Sequence, residues 1–122
     1  MENKKTLVIG ASTNPAHYSY RAIHTLRKHG NEVVALAKRT GKVADVELAT
    51  RFPLPQEKIH TVTLYVGPQN QPEYIDPVLL LNPERVIFNP GAENAAFAQK
   101  LEEKGIEAIE ACTLVMLNTG QF

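Results

Sequence analysis

The residues best suited to chemistry lie where an apolar run gives way to a loop. Thr6–Ile9 is such a run, ending at Gly10, and the segment from Val8 to Arg21 reads VIGASTNPAHYSYR. Gly10 lets the backbone turn sharply. Ala11 and Ser12 keep the loop surface small, and Pro15 stands in its middle. Ser12, Thr13, Ser19 and Tyr20 supply hydroxyls near the start of the next predicted helix. Unpaired N–H groups at a helix start, with the helix dipole, favour a phosphate. The dinucleotide fingerprint G-x-G-x-x-G is not met: Ser12 stands where its second glycine would be, and the loop is longer than a usual NAD-binding turn. A tight turn with an ordinary serine cap is the plain structural alternative.

Two further places invite a chemical reading. Lys38 and Arg39 follow the second apolar run, where an NAD-type site usually has an acidic residue for a ribose hydroxyl. Cations there suit an added phosphate, although two solvated surface charges are also an ordinary outcome. NADP carries an added ribose phosphate too, so the pair does not by itself select one cofactor. Cys112, the single cysteine, follows the last predicted strand. A thiol near an acyl thioester could accept an acyl group if its pKa were depressed. A small half-buried hydrophobe is the competing role. The four histidines have no metal-ligand spacing, and no Ser/His/Asp set or carboxylate pair stands out.

These loops need elements to position them. Buried strands are predicted at Thr6–Ile9, Val33–Ala37, Thr61–Val66, Arg85–Asn89 and Ile106–Ala111. Helices are predicted at Tyr18–His29, with an apolar stripe of Ala22, Ile23 and Leu26, and at Glu93–Lys104, with Phe97 and Leu101 on one face. Gln71–Leu81 also reads as helical, with Pro77 either kinking it or starting a shorter helix capped by Asp76. Lys38–Lys58 reads as loop with a short strand or turn, and Thr113–Phe122 as a final helical turn. Strand–helix–strand repetition implies parallel strands joined by right-handed crossovers. The expected fold is α/β: a Rossmann-like, doubly wound, mainly parallel sheet of about five strands with helices on both faces. Ligands of such sheets bind outside the carboxyl ends of the strands.

Composition narrows the function classes. The 122 residues are one domain's worth, expected to span 1–122. Thirteen basic residues balance thirteen acidic ones, which argues against a nucleic-acid-coating protein. No apolar run approaches the roughly 20 residues of a membrane helix, and the apolar segment in MENKKTLVIG is too short for a signal peptide. A cytoplasmic protein with no membrane partner is expected. The zero balance hides an asymmetry: residues 1–42 carry eight basic and two acidic side chains, the rest five and eleven. The first part can attract anions, or the two signs can simply face solvent on different surfaces.

Taken together, V-I-G-A-S followed by N-P and S-Y-R, the cations after the second strand, Gly67-Pro68, the F-N-P-G-A-E-N segment and the ending E-A-C-T-L-V-M-L-N-T-G resemble the CoA-binding domain family. These are small Rossmann-like proteins similar to the nucleotide-binding domain of the succinyl-CoA synthetase alpha subunit. The resemblance runs from Lys5 to Gly120. It implies CoA or an acyl-CoA as ligand, with Gly10, Ala11 and Ser12 against the diphosphate and Pro15 within that loop. Ser19, Tyr20 and Arg21 would begin the helix facing it, and Lys38 and Arg39 would lie near the 3′-phosphate. Val66, Gly67 and Pro68 would wall the adenine or pantetheine. Asn89, Pro90 and Gly91 would lie along the pantetheine arm, with Asn89 bonding an amide or capping its turn; Glu93 and Asn94 read as helix caps. Many members have N-P after the second strand, where this chain has Ala37-Lys38-Arg39. The synthetase's catalytic histidine belongs to a second domain, so none of His17, His24, His29 or His60 inherits that role. The leading expectation is a CoA-binding protein without turnover by this chain alone. The alternatives are an NADP-type reductase, a Cys112-dependent acyl-transfer protein, or an interaction module. Small doubly wound domains often pair through an exposed helix or edge, so a homodimer is an open alternative to a monomer.

Overall fold

The computed structural model describes residues 3–122. Seven strands form one sheet: β1 (Thr6–Ile9), β2 (Val33–Leu36), β3 (Gly41–Val43), β4 (Val46–Ala49), β5 (Thr61–Leu64), β6 (Arg85–Phe88) and β7 (Glu107–Glu110). Their order across the sheet is β3-β4-β2-β1-β5-β6-β7, and every pairing is parallel except β3 with β4. Four helices connect or follow them: α1 (Tyr18–Lys28), α2 (Pro72–Leu81), α3 (Ala95–Glu103) and α4 (Thr113–Asn118). No helix among the described residues is long and apolar enough to cross a membrane.

Alternation along each buried strand divides the core in two. Leu7 and Ile9 of β1, Val62 and Leu64 of β5, and Val86 and Phe88 of β6 pack with Val78 and Leu81 of α2 and Phe97 and Leu101 of α3. Phe88 meets Phe97 edge-on at 5.5 Å between ring centres. Val8 and Ala35 face the opposite way and pack with Ile23 and Leu26 of α1 and Leu117 of α4. Helices therefore cover both faces, which is why β1, β5 and β6 are buried along their whole length, Thr6, Thr61, Thr63 and Arg85 included.

The fold class is as expected, with two strands more than the five anticipated. They arise inside Lys38–Lys58, where β3 and β4 form a hairpin across Ala44-Asp45. Val46 and Leu48 of β4 are buried while Glu47 between them is exposed. The helix α2 runs from Pro72 to Leu81 straight through Pro77, so Asp76 is an interior residue and not a cap. In α3, Asn94 is the capping residue: its side chain accepts the Phe97 N–H at 3.1 Å. Glu93 instead accepts the Gly91 N–H at 2.9 Å.

The chain enters α1 from β1 and returns to β2 on one side of it, whereas β5 adds on the other. The direction of winding thus reverses between β1 and β5. In open sheets of this kind the strands part there at their carboxyl ends and leave a crevice.

Candidate functional site

Gly10 sits at that crevice with φ +94°. A side chain there would come within 3.0 Å of the Tyr65 carbonyl oxygen and of Val66 Cγ1. Only glycine meets both demands, the left-handed backbone and the close approach to the segment leaving β5. The N–H groups of Gly10 and Ala11 both donate to the Leu36 carbonyl oxygen, at 3.1 and 3.0 Å. They fasten the loop to the end of β2 and are not offered to a ligand. The loop's outer part is organised by side chains. Ser12 Oγ accepts the Asn14 N–H at 3.0 Å and lies 2.8 Å from His17 Nδ1. Asn14 Oδ1 accepts the Ala16 N–H at 2.9 Å. His17 occupies the N-cap position of α1 without capping it, so the opening N–H groups of Tyr18 and Ser19 have no acceptor within the helix.

Adjoining cavities follow the carboxyl ends of the strands. The largest, about 760 Å³, is lined by Gly10, Ala11, Ser12, His17, Lys38 and Arg39, with Tyr65 and Tyr74 among its other walls. A second, about 380 Å³, shares Gly10, His17, Tyr65 and Val66 with it and extends between Ser19, Gly67, Pro90 and Gly91. A third, about 330 Å³, continues past Lys38 to Phe52 and Tyr74. The result is an elongated groove, a shape suited to a long ligand. Neither of the first two cavities is lined by a carboxylate; Glu73 borders the third. Lys38 and Arg39 are exposed. The ion pairs among the described residues, Lys5–Glu57 and Arg27–Asp45, leave both of these cations unengaged. Among the described residues no cluster of His, Cys, Asp or Glu is placed to hold a metal ion.

Buried amides brace the walls. Gln71 is fully buried. Its Nε2 donates to the carbonyl oxygens of Val66 at 3.0 Å and Ala92 at 2.7 Å, and its Oε1 accepts from Asn94 Nδ2 at 2.9 Å. One side chain thereby joins the segment after β5, the turn after β6 and the start of α3. Asn89 does the same one layer deeper. Its Nδ2 donates to Thr63 Oγ1 at 2.7 Å and the Leu64 carbonyl at 2.8 Å, and its Oδ1 accepts the Thr113 N–H at 2.9 Å. The Thr63 and Thr113 hydroxyls lie 2.8 Å apart. The Tyr65 hydroxyl approaches both but makes no sound hydrogen bond to either, and burial pushes its pKa up to about 12.

Of the residues singled out in the sequence, Gly10, Ala11, Ser12, Ser19, Lys38, Arg39, Gly67, Pro90 and Gly91 line the groove, as does Val66. Five others do not. Pro15, Tyr20 and Arg21 border a separate shallow groove between α1 and α4. Consecutive helix residues point about 100° apart: Ser19 is buried, Tyr20 packs against the core on the α1 face with its ring tilted beside His24 at 4.8 Å between centres, and Arg21 covers the Tyr18 ring. Pro68 is exposed at the start of a 3₁₀ turn. Asn89 has its amide committed internally, so the pantetheine bond foreseen for it gives way to a role as a strut. Cys112 is half-buried at the N-cap position of α4 and lines none of these cavities. His17, Tyr65, Tyr74 and Gln71 were not foreseen. A histidine directly ahead of a predicted helix, in a loop already read as phosphate-friendly, was the available signal for His17.

Solved structures bear out the fold. An uncharacterized protein 40% identical to this chain superposes with a TM-score of 0.92, covering 100% of each chain. A hypothetical protein from Pyrococcus horikoshii OT3, 23% identical, gives 0.86 over 96% of this chain and 83% of its own. A Thermus thermophilus protein, 22% identical, gives 0.85 over 98% and 91%. No curated protein sequence matches the chain. The CoA binding domain pattern matches residues 4–118, nearly the entire sequence, and on that match the chain belongs to the CoA-binding domain family.

Proposed function

We propose that the protein binds CoA or an acyl-CoA along this groove, without turning it over by itself. One observation carries the reading. The loop after β1 and the Lys38–Arg39 pair after β2, far apart in sequence, border a single cavity with no carboxylate in its lining. A ligand with two separated phosphate groups suits that arrangement. In this reading the 3′-phosphate meets Lys38 and Arg39, and the diphosphate lies over Ser12 and the opening turn of α1. The pantetheine arm runs toward Gly67, Pro90 and Gly91. The small residues there leave room for a thin chain.

The test is a titration of Lys38→Ala/Arg39→Ala with CoA and with dephospho-CoA, which lacks the 3′-phosphate. The double variant should lose about tenfold or more in CoA affinity and little for dephospho-CoA. Equal losses would remove the 3′-phosphate assignment. Native mass spectra of freshly purified protein should carry an added mass of CoA or an acyl-CoA, and they read pairing of two copies as well. NADPH binding more tightly than CoA would move the reading to a reductase.

A further inference from the structure

We propose that the cavity beyond Lys38 seats the adenine ring of the bound cofactor against Phe52 and Tyr74, and that Glu73 selects adenine by accepting its amino group; the identity of the ligand rests on the CoA reading. The phosphates and the pantetheine arm take up the first two cavities and leave the third, of about 330 Å³, to the rest of the molecule. The base hangs from the ribose that carries the 3′-phosphate. A phosphate at Lys38 therefore puts the base within reach of whatever else borders that lysine. Lys38 and Tyr74 line both the largest cavity and the third.

The β3–β4 hairpin builds this end of the groove. β4 runs parallel to β2 with Ala49 opposite Leu36, and the Ala37 N–H donates to the Ala49 carbonyl oxygen at 2.8 Å. The chain leaving β4 is thereby held beside the chain leaving β2, and Phe52 comes to border one cavity with Lys38. Phe52 and Tyr74 are half-buried and pack on the core beneath, so their rings are anchored walls. A flat heteroaromatic ring packs on such walls through its π-face, and stacking alone accepts any base. Glu73 supplies the discrimination. Among the described residues it is the one carboxylate in the lining of these three cavities, and the ion pairs leave it free. An ionised carboxylate only accepts hydrogen bonds. Adenine offers it an amino group, whereas hypoxanthine and guanine carry an oxygen on the same ring atom. That oxygen would set acceptor against acceptor.

The test compares CoA with its hypoxanthine analogue, in which oxygen replaces the amino nitrogen. The wild-type protein should prefer CoA about tenfold or more. Glu73→Gln should shrink the preference to about twofold or less, because a carboxamide accepts from one base and donates to the other. The ratio cancels the general gain in anion affinity from deleting a negative charge. Glu73 is exposed, so the variant keeps its fold, which a thermal melt verifies. Phe52→Leu keeps an apolar contact with the core and removes the ring. It should bind CoA about threefold or more less tightly, and 4′-phosphopantetheine, which has no base, as the wild type does. Three results overturn the inference and leave the CoA reading standing: a wild type indifferent to the base, a preference undiminished in Glu73→Gln, or a Phe52→Leu affinity for CoA that is unchanged or falls together with that for 4′-phosphopantetheine. ADP and inosine diphosphate separate the reverse case. A Glu73-dependent preference for ADP, with no tighter binding of CoA, keeps the inference and overturns the CoA reading. Binding of none of these ligands overturns both.

Discussion

A methyl group at position 10 would lie 3.0 Å from the Tyr65 carbonyl oxygen, on a backbone held at φ +94°. Neither demand is negotiable locally, because Gly10 and the residue after it are pinned to Leu36 from the other side. Gly10→Ala should therefore cost about 2–3 kcal/mol, read as a lower urea midpoint at unchanged slope. A loss under about 0.5 kcal/mol would mean the loop relaxes freely. Gly10 was legible in the sequence because a glycine closing an apolar run has a local, backbone reason to be there. Lys38 and Arg39 were legible because charge placement after a strand is also local. Asn89 was misread for the opposite reason. Its partners are Thr63, Leu64 and Thr113, and nothing in the neighbouring sequence reveals an amide spent on three distant groups.

The walls of the groove are held by elements that do not touch through apolar contact alone. Gln71, just ahead of α2, ties the carbonyls of Val66 and Ala92 to the Asn94 cap of α3. Gln71→Leu keeps a similar volume and removes the donor to the buried Ala92 carbonyl and the half-buried Val66 carbonyl and the acceptor for the Asn94 amide. It should destabilise the protein by about 3 kcal/mol. Because both walls near Gly67 and Gly91 hang on this side chain, it should also weaken cofactor binding at temperatures where the fold is intact. Normal affinity in the folded variant would show that the wall positions are set elsewhere. The helices and central strands could be read from their spacing, since both faces of the sheet are covered and the strands are short runs rich in apolar and β-branched residues. The β3–β4 hairpin could not. Its strands have three and four residues. Its turn places Ala44 at φ 55°, with no Asn-Gly or Asp-Gly to announce it. Similarly, Pro77 within α2 contradicts a local rule that tertiary packing against the sheet overrides.

At the scale of the molecule, winding reverses between β1 and β5, and that single topological fact places Gly10, His17 and Tyr65 around one crevice. The same seam puts an ionisable group under the groove in a setting that ties global stability to pH. Burial holds the Tyr65 phenol in its neutral form up to about 12, against about 10 in an unfolded chain. The folded state disfavours the phenolate, so the stability linked to this group is complete below about pH 10 and disappears as pH rises through about 12. The size of the effect is about 2–3 kcal/mol. Tyr65→Phe keeps the ring and deletes a hydroxyl that makes no sound hydrogen bond. Its stability at neutral pH should stay within about 1 kcal/mol of the wild type, while its alkaline decline becomes shallower by the linked amount. Urea unfolding at steps between neutral pH and about pH 12 makes the comparison. Parallel declines in the two proteins would show that the phenol is solvated in the folded state and that the crevice floor is open to water.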